Sequence, residues 1–237
     1  MANSYFQFKQ FRIEQSLCAM KVGTDGVLLG AWASVDGADS CLDIGTGTGL
    51  LALMVAQRNP KLSVVAIDLD SDAVLQAKEN VYASPWLDRI SVLHSDVKLF
   101  SPDCRFDRIV CNPPYFCNSL VSPDAKRTMA RHTSELEFKD LLSSVKRLIS
   151  SNGLFSVVLP YDVGEGFIKL AECESLYCLR LCRVIPKTGA SPKRVLLEFS
   201  TKMQECSFNE LIIESGGRHC YSEEYKQLTK DFYLGSC

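Results

Sequence analysis

Long hydrophobic runs are missing from this 237-residue chain, and so are histidine clusters and any C-x-x-C pair. No apolar run nears the roughly 20 residues of a membrane-spanning helix, and no apolar leader opens the chain; a cytoplasmic protein with no membrane contact is expected. His94, His132 and His219 stand far apart, and Cys173, Cys178 and Cys182 are spaced wrongly for a zinc clasp, which argues against a metal. The eleven cysteines are odd in number and are expected to be reduced and mostly buried, with Cys111 and Cys117 the ones that a thiol reagent would reach. Excess charge is missing too. A formal net charge of −2 excludes a polycation, so contact with a nucleic acid would have to come from local patches.

Two groups of basic residues qualify. From 180 to 202 six of them (Arg180, Arg183, Lys187, Lys193, Arg194 and Lys202) stand against the single acid Glu198, and Lys126, Arg127 and Arg131 lie beside His132. No linker, repeat or low-complexity tract divides the chain, so one domain over 1–237 is expected, with 1–35 as an N-terminal extension or cap, 36–202 as the core, and a strand and helix in 203–237 packed on the body.

What is present is alternation. Short apolar runs near 40–45, 62–68, 89–94, 106–111 and 153–159 read as strands, and amphipathic stretches at 48–58, 71–83 and 134–150 read as helices, the last stopped by Asn152 and Gly153. A further helix is expected near 163–175. The apolar pair 177–185 and 194–201, joined through Thr188 to Pro192, reads as a hairpin. The pattern is that of a doubly wound α/β fold, whose strand tips gather along one carboxyl edge.

Three of those tips carry acids: Asp43, Asp68 and Asp96. After the first comes Gly45-Thr46-Gly47-Thr48-Gly49, a strand, glycine turn and helix start that lets a ligand approach the backbone closely and favours negative charge there. The G-x-G-x-G spacing falls one residue short of the dinucleotide fingerprint, and Asp68, about 20 residues on, suits ribose hydroxyls. At the fourth tip stands Asn112-Pro113-Pro114-Tyr115. The lone pair of a planar amino group is delocalised, which makes it a poor nucleophile. The Asn112 side-chain carbonyl and the Pro113 backbone carbonyl can accept both amino hydrogens and free that pair; the prolines stiffen the loop, and Tyr115 offers a ring for stacking a base, worth on the order of 1–3 kcal/mol.

These residues resemble class I S-adenosylmethionine-dependent methyltransferases of the branch that methylates amino groups, whose hallmark is N-P-P-Y. The runs Phe8 to Phe11 and Cys18 to Trp32, and the ending Tyr225 to Leu234, are similar to bacterial tRNA1(Val) adenine-37 N6-methyltransferases. The resemblance covers most of the chain. It implies a seven-stranded Rossmann-like sheet closed by an antiparallel hairpin, S-adenosylmethionine as cofactor and tRNA as partner. It implies that Gly45, Gly47 and Gly49 form the cofactor loop, that Asp68 takes the ribose and Asp96 the cofactor's adenine, and that Lys21 and Thr24 border its methionine end. Asp43 would orient the glycine loop or a water near the methionine amine. Asn112, Pro113 and Tyr115 would be catalytic, Pro114 and Phe116 would meet the base, and Arg131, Lys193 and Arg194 would meet the RNA. Thr24 or Asp25 could equally cap a helix over Gly26 to Ala33. His132 could contact substrate or cap the helix near Ser134.

Other amino nitrogens stay open at this point, namely guanine N2, a DNA adenine or a protein glutamine, because N-P-P-Y reads an NH2 group and little else. A nicotinamide-dependent oxidoreductase would need a dinucleotide pocket that the glycine spacing disfavours, and a noncatalytic RNA-binding module would have no use for Asn112.

Overall fold

Alternating apolar runs and amphipathic helices pair here as their spacing predicts, in a computed structural model that describes residues 3–18, 20–113 and 138–235. A hairpin of β1 (Tyr5–Gln7) and β2 (Arg12–Glu14) precedes α1 (Thr24–Trp32). The chain then runs β3 (Ser40–Ile44), α2 (Leu50–Arg58), β4 (Ser63–Asp68), α3 (Ser71–Tyr82), β5 (Ile90–His94) and β6 (Phe106–Cys111). Helix α4, described over 138–148, leads into β7 (Ile149–Pro160), α5 (Tyr161–Cys173), β8 (Tyr177–Lys187), β9 (Arg194–Ser200), β10 (Ser207–Glu214) and α6 (Glu223–Thr229). The main sheet has the order β10-β8-β9-β7-β6-β3-β4-β5. From β7 to β5 all neighbours are parallel; β9 runs antiparallel to both β7 and β8.

Two expectations need correction. The sheet has eight strands rather than seven, because β10 pairs in parallel with the outer side of β8, Leu211 opposite Val184. Its alternate residues Leu211 and Ile213 turn towards the apolar layer that α6 joins through Tyr225, so pairing removes an otherwise open edge and buries that face together. Asn152 and Gly153 do not stop the helix. The strand begins at Ile149 and bulges: Phe106 faces Ile149, but Arg108 already faces Leu154. A Cβ at Gly153 would come within 2.5 Å of the Ile149 side chain and 3.0 Å of the Phe106 carbonyl, so the glycine serves close backbone approach inside the bulge.

The cysteines also differ from expectation. Among those described, all free, only Cys18, Cys41, Cys111 and Cys182 are buried; Cys178 is half-buried, and Cys104, Cys173, Cys206 and Cys220 are exposed.

Helix α1 matters most for the site, because its first turn reaches the sheet's carboxyl edge. It is apolar nearly all round, with Val27, Leu28 and Leu29 buried, and a Cβ on Gly30 would lie 2.6 Å from the Met54 sulfur of α2. A buried helix end needs donors for its last carbonyls. Arg58 and Arg180 supply them, and Arg108 holds the segment that follows. Arg58 donates to the Gly30 and Ala33 carbonyls (3.0 and 2.6 Å), Arg180 to Trp32 (3.0 Å), and Arg108 to Ser34 and Asp36 (2.7 and 2.9 Å). Arg180 lies over the Trp32 ring at 4.0 Å and pairs with Glu198 at 2.8 Å. Glu198 is fully buried on β9 and also accepts from the Ser34 amide and hydroxyl and the Ser156 hydroxyl.

Glu198→Ala would leave Arg180 and two hydroxyls without their acceptor. Loss of one partner of such a buried pair costs about 3 kcal/mol, and a thermal melt should show Tm lower by roughly 6–12 °C for a chain of this size. A melt within about 2 °C of the wild type would show that this cluster does not hold α1 to the sheet.

Candidate active site

Parallel pairing in register sets the frame. Ile44 faces both Ile67 and Cys111, and Asp68 faces His94, so the residues that follow these strands emerge side by side along one edge. Gly45, Gly47 and Gly49 all have positive φ (68°, 55° and 83°), which favours glycine over a side-chain-bearing residue at each. The turn is fastened to its neighbour strand: the Gly45 and Thr46 amides donate to the Ile67 carbonyl, and the Gly47 amide donates to Asp68 at 2.8 Å. The other Asp68 oxygen accepts the Asp70 amide at 3.0 Å. Each oxygen keeps a lone pair for a ligand hydroxyl.

A cavity of about 450 Å³ opens above this edge, lined among others by Lys21, Gly26, Gly47, Asp68, Asp96 and Asn112. That size suits a nucleoside-like ligand. Polar groups gather on the glycine side, whereas Ile67, Leu69 and Val97 give an apolar flank, Leu69 being 68% exposed next to Asp68. His94 donates through Nε2 to the Leu69 carbonyl (2.8 Å) and thereby ties β5 to that rim. Asp96 closes its own turn by accepting the Lys98 amide at 2.9 Å. Lys21 donates to the Asn3 carbonyl at 3.5 Å. A Cβ on Gly26 would lie 2.9 Å from Leu50 and 3.7 Å from the Asn112 amide nitrogen, so this bare position lets α1 close against Asn112.

Several expected residues sit elsewhere. Asp43 does not line the cavity. It lies fully buried beneath the glycine turn, where one oxygen accepts the Thr46 hydroxyl (2.6 Å) and the Ala52 amide (3.1 Å), and the other has no hydrogen-bond partner. Gly49 is also off the wall, capping α2 and packing on Ala77. Thr24 and Pro113 are not among the lining residues either. The N-cap of α1 is Gly23, with no side-chain cap, and the helix ends at Trp32; Asp25 instead pairs with Arg194 at 2.7 Å. Pro114, Tyr115, Phe116, Cys117, Lys126, Arg127, Arg131 and His132 lie outside the described residues. Burial pushes the Cys111 thiol far up, which corrects the expectation that a thiol reagent reaches it. Among the described residues no group of three or more His, Cys, Asp or Glu could hold a metal ion.

The run of six basic residues does not survive folding as one patch. Arg180 pairs with buried Glu198, Arg183 with Glu210 (3.7 Å) and Arg194 with Asp25, and Lys202 follows the end of β9 that lies far from the cavity. Sequence reasoning also missed Gln76 and Asn80, both buried on α3. Gln76 accepts the Leu17 amide, while Asn80 accepts the Glu14 amide and donates to the Glu14 and Thr48 carbonyls, so the two pin the N-terminal segment to the glycine turn. Their signal was two amides at i and i+4 on the face that Ala73, Ala77 and Val81 mark as buried.

Residues 23–140 match the family model described as "Methyltransferase small domain". The chain is 52% identical over 235 residues to the tRNA1(Val) (adenine(37)-N6)-methyltransferase of Bacteroides thetaiotaomicron, covering 99% of both chains. It is 44% identical over 232 residues to the enzyme of the same name from Histophilus somni, covering 97% of both. Among solved structures, a predicted O-methyltransferase from Agrobacterium tumefaciens superposes with a TM-score of 0.68 at 22% identity, over 88% of this chain and 96% of that one, a likeness of fold.

Burial pushes the Asp43 carboxyl up to about 7, with the Asp68 charge acting the same way and the Thr46 and Ala52 hydrogen bonds opposing it. The native chain therefore keeps this proton to about pH 7, whereas the unfolded chain releases it near the ordinary 3.8. Between those values the native state binds more protons, so this group's contribution to stability falls as pH rises and levels off above 7. Urea unfolding from pH 4.5 to 8 should show that decline in the wild type and a flatter profile in Asp43→Asn. Parallel profiles would count against it.

Proposed function

The chain belongs to the tRNA1(Val) (adenine(37)-N6)-methyltransferase family, and from that premise we propose that it methylates N6 of adenine-37 in the anticodon loop of tRNA1(Val), in the cytoplasm. The observation that carries the reading is Asn112 on the wall of the same cavity as the glycine turn and Asp68. An amine held at Asn112 faces whatever those residues bind. The single methyltransferase domain is read as 1–237, with 1–35 as the cap that closes over the cavity.

The residues present fit S-adenosylmethionine. Asp68 has lone pairs left for ribose hydroxyls, Asp96 has a carboxylate oxygen for the adenine amino group, and the backbone at Gly45 and Gly47, with Lys21 nearby, suits the methionine end. Thr24 contributes through the first turn of α1. Asp43 and Gly49 act one layer below, holding the turn's shape. When bound, the cofactor supplies a methyl group activated by its sulfonium sulfur, which leaves as a neutral thioether.

The chain's own part is position and charge. Asn112 and the Pro113 carbonyl accept the two amino hydrogens of adenine, which makes the nitrogen pyramidal and stabilises the positive charge growing on it. Tyr115, with Pro114 and Phe116, is assigned to the face of the base. Alignment in a closed site contributes several kcal/mol, within the roughly 7–11 kcal/mol that well-oriented reactions gain. Proton loss follows methylation, so no strong general base is demanded. A base in an anticodon loop is already partly unstacked, which lowers the cost of extruding it.

Transfer of labelled methyl from S-adenosylmethionine to tRNA should fall about 100-fold or more in Asn112→Ala, while S-adenosylhomocysteine binds as in the wild type by calorimetry. Mass spectrometry of the digested product should show N6-methyladenosine. Retained activity in the variant would end the role given to Asn112; methyl on guanine N2 would move the enzyme to another substrate.

A further inference from the structure

The antiparallel part of the sheet outruns the parallel part. Cys111, the last residue of β6, faces Val157, yet β7 continues three residues further to Pro160. At about 3.3 Å per residue, that raises its end roughly 10 Å above the level of Cys111. Arg194 faces Pro160 on one side and Val184 on the other, and β8 runs three residues beyond Val184 to Lys187, roughly another 10 Å. β10 follows in parallel, with Glu214 facing Lys187. The result is a stepped wall that rises beside the cavity, away from β3.

The wall's top is cross-tied. The Tyr161 amide donates to the Lys193 carbonyl, the Lys193 amide donates to Val184, and the Thr188 amide and hydroxyl donate to the Glu214 and Ser215 carbonyls. The turn after β10, which carries Arg218 and His219, closes on itself through Ser215 and Cys220 and so sits on the same crest. Three cations stand there: Lys193, Lys187 and Arg218, all exposed and none in an ion pair among the described residues. The nearby acids are engaged locally. Glu214 accepts the His219 amide at 2.8 Å, and Asp162 occupies the first turn of α5, where the helix dipole favours it.

We propose that this crest is the phosphate-contacting surface for the RNA substrate, with Lys193, Lys187 and Arg218 following the backbone upward from a base held at Asn112. The inference rests on the tRNA reading above and adds the side of the enzyme on which the RNA lies. Charge complementarity chooses the occupant: on a chain of net charge −2, unpaired cations aligned on a rigid crest beside the cavity suit a polyanion. Lys187 and Arg218 are 31 positions apart in sequence, and only the parallel pairing of β8 with β10, Glu214 opposite Lys187, brings the turn that carries Arg218 to the end of β8.

The test compares the wild type with Lys187→Glu/Lys193→Glu/Arg218→Glu in filter binding of tRNA across a salt series, and uses Lys202→Glu as the control on the far edge. S-adenosylhomocysteine titration of each protein reports the fold and the cofactor site. The triple variant should bind tRNA at least tenfold more weakly, with a salt slope shallower by about 2–3, while its S-adenosylhomocysteine affinity and that of the control stay as in the wild type. If wild type and triple variant bind tRNA alike, the crest assignment is wrong and the tRNA reading stands. If the wild type itself neither binds nor methylates tRNA, both fall.

Discussion

Parallel strand pairing is the constraint on which everything else here depends. Because β6, β3, β4 and β5 run the same way in register, Asn112, Gly45, Asp68 and Ser95 must leave the sheet along one edge at the spacing between strands, about 4.8 Å. No long-range force has to gather them. An amide side chain, a bare turn and a carboxylate become neighbours because hydrogen-bonded backbone leaves them no other place. The chemistry is then a matter of which side chain stands at each exit.

The second constraint is closure. The first turn of α1 forms part of the cavity wall at Gly23 and Gly26, and a helix this apolar would have no fixed end without partners for its carbonyls. Arg58 and Arg180 come from α2 and β8, so two separate parts of the fold agree on where α1 stops, and Arg108 of β6 holds the segment after it. Glu198 holds the one from β8. At the other end, Gln76 and Asn80 of α3 hold the N-terminal segment down on the glycine turn. Stability and site geometry are therefore carried by the same buried and half-buried polar groups, none of which lines the cavity.

Asp43 illustrates a division of labour that spacing cannot reveal. It shares a strand-tip position with Asp68 and Asp96, yet it lies under the turn and they lie on the cavity wall. The difference comes from neighbours: β3 is covered on both faces, and the Thr46 hydroxyl and Ala52 amide turn the Asp43 carboxylate inwards. The basic run from 180 to 202 teaches the same lesson in reverse. Its charge reads as one patch, but alternate residues of a strand face opposite ways, so Arg180 goes to Glu198 inside while Arg183 meets Glu210 outside.

What the amino-acid order determined by itself was local: where apolar runs make strands, where glycine permits a tight turn, and the Asn112-Pro113 pair whose carbonyls suit an amino group. Those features depend on a few adjacent residues and survive without knowledge of the rest. The tertiary structure alone decided what depends on pairing across distance. It placed β10 as an eighth strand, buried Gly153 in a bulge, put Arg194 on Asp25, and brought Glu214 beside Lys187. Register and burial arise from contacts between segments far apart in the chain, and a pattern read along one segment carries no information about which other segment will lie against it.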